Sequence, residues 1–344
     1  MKKYSVKQLF IGILTVGFIG FSQPLYAQKN NSQTTYNINK KDVLTILEKN
    51  RAFYQKGKVA DYIPELGKMQ PDALALSIVE KNGKIINIGD VDKKFTIQSI
   101  SKIIALTVAV QDKGEQFIFN KMGYFGTDKP FNYFANLDPS GKPLNPMMNA
   151  GAILTTSLIE GQGEIPFQKI LAMLRYIAKN PTIDYSHAVY NSERETGHRN
   201  RGMFYILKNS GLIPDNHQEN EDQLNNYFKQ CSIEITAEDL AKIGFFFANK
   251  GTRFDGDKTY YNPELTKLVQ SQMLTAGMYE FSGEYTRTVG LPSKSGVGGG
   301  ITVAVPNQMG IGVFSPALDD HGNSLAGYHI ILDLVKQYQL SLFD

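Results

Sequence analysis

The pattern of apolar and polar positions changes character several times along the chain. Near its start, Leu9 to Phe21 is an almost unbroken apolar run, preceded by Lys2, Lys3 and Lys7 and followed by Pro24-Leu25-Tyr26-Ala27. This run is too short to span a bilayer comfortably, and its basic flank and small-residue exit are those of a secretory leader. Residues 1–27 are therefore expected to be a signal peptide, with the mature chain starting near Gln28 and secreted or periplasmic. An uncleaved anchor is the alternative, disfavoured by the polar stretch Gln28 to Gln33 that follows at once. Beyond it, Asn39 is placed to cap a helix whose apolar positions Val43, Leu44, Leu47 and Phe53 recur every three to four residues. Two β-type runs, 74–79 and 85–88, then flank Lys81-Asn82-Gly83-Lys84, a hairpin signal. From Ser101 to about Gln272 the period is mostly helical, with apolar segments at 103–110, 153–159, 170–178 and 240–247. Strands return at 301–305 and 310–314 around the turn Pro306-Asn307-Gln308, and a last helix is expected over about 325–339.

Strands at both ends and helices between them imply an α/β (α+β) architecture in which the chain ends meet in one sheet covered by the terminal helices. The expected division is a sheet domain from 28–100 and 276–344 and an inserted helical domain over 101–275. The groove between them is the default active site. The 344 residues, 42% of them hydrophobic, suffice for one large unit or two closely packed domains.

Charge and chemistry exclude several classes of function. The formal charge of +3 belongs to the leader, which holds three lysines and no acid. No basic stripe remains for nucleic acid, and no stable membrane insertion is expected after cleavage. The single cysteine, Cys231, cannot close an intrachain disulfide and reads as a small buried helix residue with no assigned chemistry. His187, His198, His217, His321 and His329 lack paired ligand spacing, so neither a metal nor another cofactor is expected.

Two motifs carry candidate chemistry. Ser99-Ile100-Ser101-Lys102 is the one Ser-x-x-Lys of the chain, between strand-like 95–98 and an apolar helix. Ser99 would stand at the helix N-terminus with Lys102 one turn on, on the same face. A lysine among Ile100, Ile103, Ile104 and Ala105 is partly desolvated, which favours the neutral amine that can take a hydroxyl proton. The same residues also suit a capping serine and a snorkelling lysine. Further on, Lys294-Ser295-Gly296-Val297-Gly298-Gly299-Gly300 leads into a strand. Its glycines follow the lysine, so it is no phosphate loop. It looks like the Lys-Thr-Gly edge of penicillin-recognising serine enzymes, although a flexible turn fits as well.

At this point ordered matches accumulate: 60–64 (Ala-Asp-Tyr-Ile-Pro), 98–102, 145–152 (Asn-Pro-Met-Met-Asn-Ala-Gly-Ala), 192–195, Arg199-Asn200, 231–234, 277–283 and 290–297. The chain thereby resembles the serine-dependent glutaminases over about 59–333. That resemblance implies a β-lactamase/transpeptidase-like fold with a mainly antiparallel sheet, and hydrolysis of L-glutamine to L-glutamate and ammonia through a Ser-Lys acyl-enzyme. It implies Ser99 as nucleophile, Lys102 as base, and Tyr62 and Tyr279 as nearby phenols that pass protons. It further implies main-chain N–H groups of Ser99 and Val297 as the oxyanion hole. Substrate would be held by Asn149, Glu193, Asn200 and Tyr227, with Tyr62, Ser99, Tyr279 and Val297 also in contact. It also implies a homodimer or homotetramer. Residue chemistry agrees, since a zwitterion needs one anion for its α-ammonium, for which Glu193 is suited, and neutral donors for its carboxylate.

Two rivals share part of this pattern. A penicillin-recognising, β-lactamase-like hydrolase would also carry Ser-x-x-Lys and Lys-Ser-Gly, but no Ser-x-Asn lies between Ser99 and Lys294. The one Tyr-x-Asn there, Tyr260-Tyr261-Asn262, precedes Pro263 as a helix start. A non-catalytic amino-acid binder would need no activated serine. Finally, the long segment 124–141, rich in aromatics and edged by Gly and Pro, is expected to close as a lid over the bound substrate.

Overall fold

The hairpin read from alternating positions is present: β1 (Ala75–Glu80) and β2 (Ile85–Gly89) pair antiparallel with Ile78 opposite Ile86. The computed structural model describes residues 38–133, 136–213 and 220–344. The expected leader, 1–27, lies outside the described residues. Two short strands, β3 (Phe95–Thr96) and β4 (Glu234–Ile235), pair with each other. The remaining strands are β5 (Ser293–Gly296), β6 (Gly300–Val305) and β7 (Met309–Phe314). The main sheet has the order β2-β1-β7-β6-β5 and is antiparallel throughout. Both ends of the chain therefore meet in its centre, where Ala75 lies opposite Phe314. The Lys-Ser-Gly segment does not merely lead into a strand; it is the edge strand β5, with Lys294 opposite Thr302.

The helices are α1 (Lys40–Asn50), α2 (Ser101–Lys113), α3 (Glu115–Phe119), α4 (Asn149–Ser157), α5 (Ile165–Ala178) and α6 (His187–Thr196), then α7 (His198–Asn209), α8 (Asn220–Cys231), α9 (Ala237–Ala248), α10 (Pro263–Ala276), α11 (Ser282–Thr288) and α12 (Leu325–Tyr338). Asn39 caps α1 as its side chain suggests, accepting from the Lys41 and Asp42 N–H groups. The helix stops at Asn50, and the chain tightens into a 3-10 turn that stacks Phe53 on His329 of α12, ring centroids 3.7 Å apart.

One element differs from the expected division. Helix α9 falls inside the segment 101–275 assigned to the inserted helical domain, yet it lies directly on the main sheet. Gly310 and Gly312 on β7 make this possible: a Cβ on either would stand 2.0 or 2.2 Å from the carbonyl oxygen of Ala241 or Ala237. Thr302 Oγ1 donates to the Leu240 carbonyl at 2.8 Å on this face, while the adjacent Ile301 reaches α12 on the other. Coverage on both faces explains why β1, β6 and β7 are buried along their whole length and read as continuous apolar runs.

Helix α2 is buried on every side from Ser101 to Ala109, with α4, α5 and α10 packed around it. Such a helix is a central strut, and it begins at the nucleophile turn. Phe95 in β3, stacked on Phe314 of β7 at 4.0 Å, ties the approach to that turn to the sheet.

Candidate active site

Ser99 is the middle residue of a 3-10 turn, Gln98–Ile100, that runs straight into α2. Gln98 has φ +47°, a left-handed conformation that costs a non-glycine residue about 1 kcal/mol or more. Its neighbours hold it there: Ser101 Oγ donates to the Gln98 carbonyl at 2.7 Å, and Gln98 Nε2 donates to Thr96 Oγ1 at 3.2 Å. The strained turn raises Ser99 into a cavity while the helix behind it stays regular. The end of β5 presses against the same turn. A Cβ on Gly296 would lie 2.6 Å from the Ile97 carbonyl oxygen and one on Gly298 2.3 Å from that of Thr96. Glycine at both positions lets the backbone on either side of Val297 press against the turn that carries Ser99.

Lys102, 1% exposed, sits one turn beyond Ser99. Its Nζ donates to the Met147 carbonyl at 3.0 Å and to Asn149 Oδ1 at 2.7 Å, beneath the ring of Phe131. Burial lowers its pKa to about 8, and the Glu193 carboxyl opposes that shift. Ser99 itself meets the phenol of Tyr279, whose hydroxyl also donates to the Ser295 carbonyl at 3.3 Å. Burial raises the Tyr279 pKa, so the group stays a phenol.

Six of the expected residues, Tyr62, Ser99, Asn149, Glu193, Asn200 and Tyr227, line one cavity of about 300 Å³. Asn149 opens α4, accepts from Lys102 and donates to Asn200 Oδ1 on α7 at 3.1 Å, which links the base to the substrate wall. Glu193 on α6 is 5% exposed, and its Oε2 has no hydrogen-bond partner among the described residues. Burial raises its pKa to about 8, with the Lys102 charge opposing. Tyr227 on α8 is buried and keeps its proton for the same reason. Tyr62 differs from the other phenol of the expected relay: it is 53% exposed and forms the mouth. Lys102, Tyr279 and Val297 stand behind the cavity wall, joined to it through Asn149, Ser99 and the apolar cluster that Val297 and Tyr279 share with Ile63.

Several lining residues have no role assigned from the sequence: Gln98, Phe131, Asn132, Gly197 and Arg199. Arg199, exposed at the rim, shares an ordered match with Asn200 and brings a cation to a wall expected to use neutral donors. Cys231 is buried, as expected of a small helix residue, but it too lines the cavity, bonded to Tyr227 and Ser101. Burial pushes its pKa up, so it is present as the thiol.

A serine on a strained turn, a buried lysine of depressed pKa one helical turn away, and a glycine-flanked strand beside them suit acyl transfer in a hydrolase of the β-lactamase-like fold. Across the cavity stands the buried carboxyl of Glu193. Comparisons agree on the particular kind. The glutaminase family model matches residues 57–343. Glutaminase 2 of Clostridium perfringens is 46% identical over 302 residues, 87% of this chain and 98% of that one. A probable glutaminase from Bacillus subtilis complexed with 6-diazo-5-oxo-L-norleucine superposes with a TM-score of 0.81 at 33% identity, covering 88% of this chain and 97% of that one. A covalent complex of a B. subtilis glutaminase with 5-oxo-L-norleucine, formed by reaction with the same compound, gives a TM-score of 0.79 at 33% identity over 88% and 99% of the two chains. The chain belongs to the glutaminase family.

Proposed function

We propose that this glutaminase, which hydrolyses L-glutamine to L-glutamate and ammonia, works through an ester on Ser99 with the α-ammonium of glutamine held by Glu193. The observation that carries the reading is the unpartnered, buried Oε2 of Glu193 in the same cavity as Ser99. An uncompensated carboxyl at such a place is stabilised when a ligand cation arrives. Asn149, Asn200, Tyr227 and Tyr62 supply the surrounding polar contacts, and the orphan acid rejects amides that lack the α-ammonium.

Ser99 Oγ forms a bond to the side-chain carbonyl carbon (Cδ) of glutamine, whose C=O π bond opens to an oxyanion, while the Ser99 proton passes to the neutral amine of Lys102. With a pKa of about 8, roughly a tenth of that lysine is neutral at pH 7. The Ser99 and Val297 N–H groups hold the oxyanion. On collapse the C–N bond breaks, and the leaving nitrogen takes a proton through Tyr279 and departs as ammonia. Water then adds to the ester, the C–Oγ bond breaks, and Ser99 regains its proton as glutamate leaves. Ammonia release by the purified chain given L-glutamine tests the reading, with Ser99→Ala as control. A folded Ser99→Ala protein above about a hundredth of wild-type turnover would remove Ser99 from the role.

Two further proposals rest on the leader and on the family resemblance respectively. The chain is exported and cut near Ala27, which N-terminal sequencing of protein recovered outside the cytoplasm checks. The mature protein is a homodimer or homotetramer, which a monomer in sedimentation equilibrium would overturn.

A further inference from the structure

Lys294 is 0% exposed and has no task in the mechanism above. Burial and the charge of Lys102 both hold its pKa well below the ordinary lysine range. Burying an amine whole costs a fold its solvation, and a residue of that kind calls for a role. Lys294 is not among the residues lining the cavity. Its Nζ donates to the Ser295 carbonyl at 2.7 Å and to the Gly277 carbonyl at 2.9 Å, and lies 4.5 Å from the centre of the Tyr279 ring. Tyr279 has φ +58°, a left-handed conformation that its surroundings must impose.

The Ser295 carbonyl is thus shared. Lys294 holds it at 2.7 Å and the Tyr279 hydroxyl at 3.3 Å. The strand cannot shift to serve the phenol better, because Ser295 Oγ is fixed to Asn323 Oδ1 at 2.6 Å and the Ser295 N–H to the Gly277 carbonyl at 3.1 Å. We propose that Lys294 is a positioning residue for Tyr279: by occupying the Ser295 carbonyl and seating its amino group against the phenol ring, it keeps the Tyr279 hydroxyl turned to Ser99. Without that amino group, Ser295 O draws the phenol proton toward the strand and away from the nucleophile and leaving nitrogen. The inference rests on the proton-relay role of Tyr279 stated above.

Lys294→Met keeps the approximate length of the side chain and removes its amino group. Each carbonyl retains a second donor, the Tyr279 hydroxyl or the Ser295 N–H, so the fold is expected to hold. Steady-state ammonia release is measured for wild type, Lys294→Met, Tyr279→Phe and the double variant. The expected result is a loss in kcat on the order of tenfold for Lys294→Met with KM within about twofold, and less than about twofold further loss when Tyr279 is already Phe. A wild-type kcat for Lys294→Met overturns the inference, as does an equal loss in both backgrounds, which a purely structural role would give. Both of those results leave the relay intact if Tyr279→Phe is itself impaired. Wild-type activity in Tyr279→Phe instead removes the relay and the inference together. If Lys294→Met does not fold, Lys294→Gln takes its place in the same cycle with the same criteria.

Discussion

Replacing Glu193 by Gln keeps the shape of the side chain and removes one buried charge, so it separates what the carboxyl does to the empty fold from what it does for substrate. Its pKa is raised from 4.5 to about 8 by burial. A raised acid binds more protons folded than unfolded, so stability falls as pH rises. The penalty is absent below about pH 4.5, grows through neutrality and is complete above about 8. At pH 7 it amounts to about 3 kcal/mol, and at pH 5 to less than about 1 kcal/mol. Glu193→Gln should therefore raise the Tm of the ligand-free protein by roughly 6 °C at pH 7 and much less at pH 5. Binding moves the other way. Losing a charge-assisted bond of about 1.5–3 kcal/mol lowers kcat/KM for glutamine roughly 10- to 150-fold. Calorimetric melts at the two pH values and an ammonia-release assay read both effects. A variant whose Tm at pH 7 equals wild type, or whose kcat/KM stays within about threefold, refutes the assignment of Glu193 as a destabilising clamp.

Other changes probe neighbouring groups. Ser99→Ala and Lys102→Ala should each abolish turnover with the fold kept, and the double variant should be no worse than either alone, as expected of one acyl-transfer unit. In wild type, kcat/KM should rise with pH through about 8 and level off roughly a unit above as the coupled Lys102 and Glu193 lose protons, and a profile flat from about pH 6 to 9 would contradict the values given for both. Arg199→Gln should raise KM by about two- to fivefold at low salt and by less at high salt, since an exposed rim cation is screened. Hydrogen exchange over 124–141 should slow when a glutamine-like inhibitor binds, and unchanged exchange would mean that this segment is no lid.

How much of this was legible depended on whether the signal was local. Ser99 and Lys102 stand three apart at the start of a buried helix, and that spacing alone sets them on one face. The strands β6 and β7 announce themselves as apolar runs. By contrast Glu193, Asn200 and Tyr227 lie on α6, α7 and α8, whose sequences are mostly polar; α6 and α7 bury only a narrow stripe, such as Met203, Phe204 and Leu207 on α7, and α8 buries a run that includes Asn226, Lys229 and Gln230. Periodicity marks such helices as solvent-facing, so only the family resemblance flagged these three. The left-handed Gln98 has no sequence signal, since the strain is imposed by Ser101 and Thr96 around it. The docking of α9 depends on two small residues in a distant strand, Gly310 and Gly312, and pairing of that kind is not visible along the chain.

The pairing of Ala75 with Phe314 has a consequence for how activity first arises. Contacts that join residues so distant in order form slowly, because much chain entropy is lost before they stabilise anything. Tyr279, Val297 and the strand that flanks the nucleophile all come from the last quarter of the chain. A ribosome-bound or proteolytically shortened chain ending before residue 293 has its serine and its lysine but no sheet to set them against. Such a fragment should be inert toward glutamine, and catalysis should begin only once the whole polypeptide has emerged and closed upon itself.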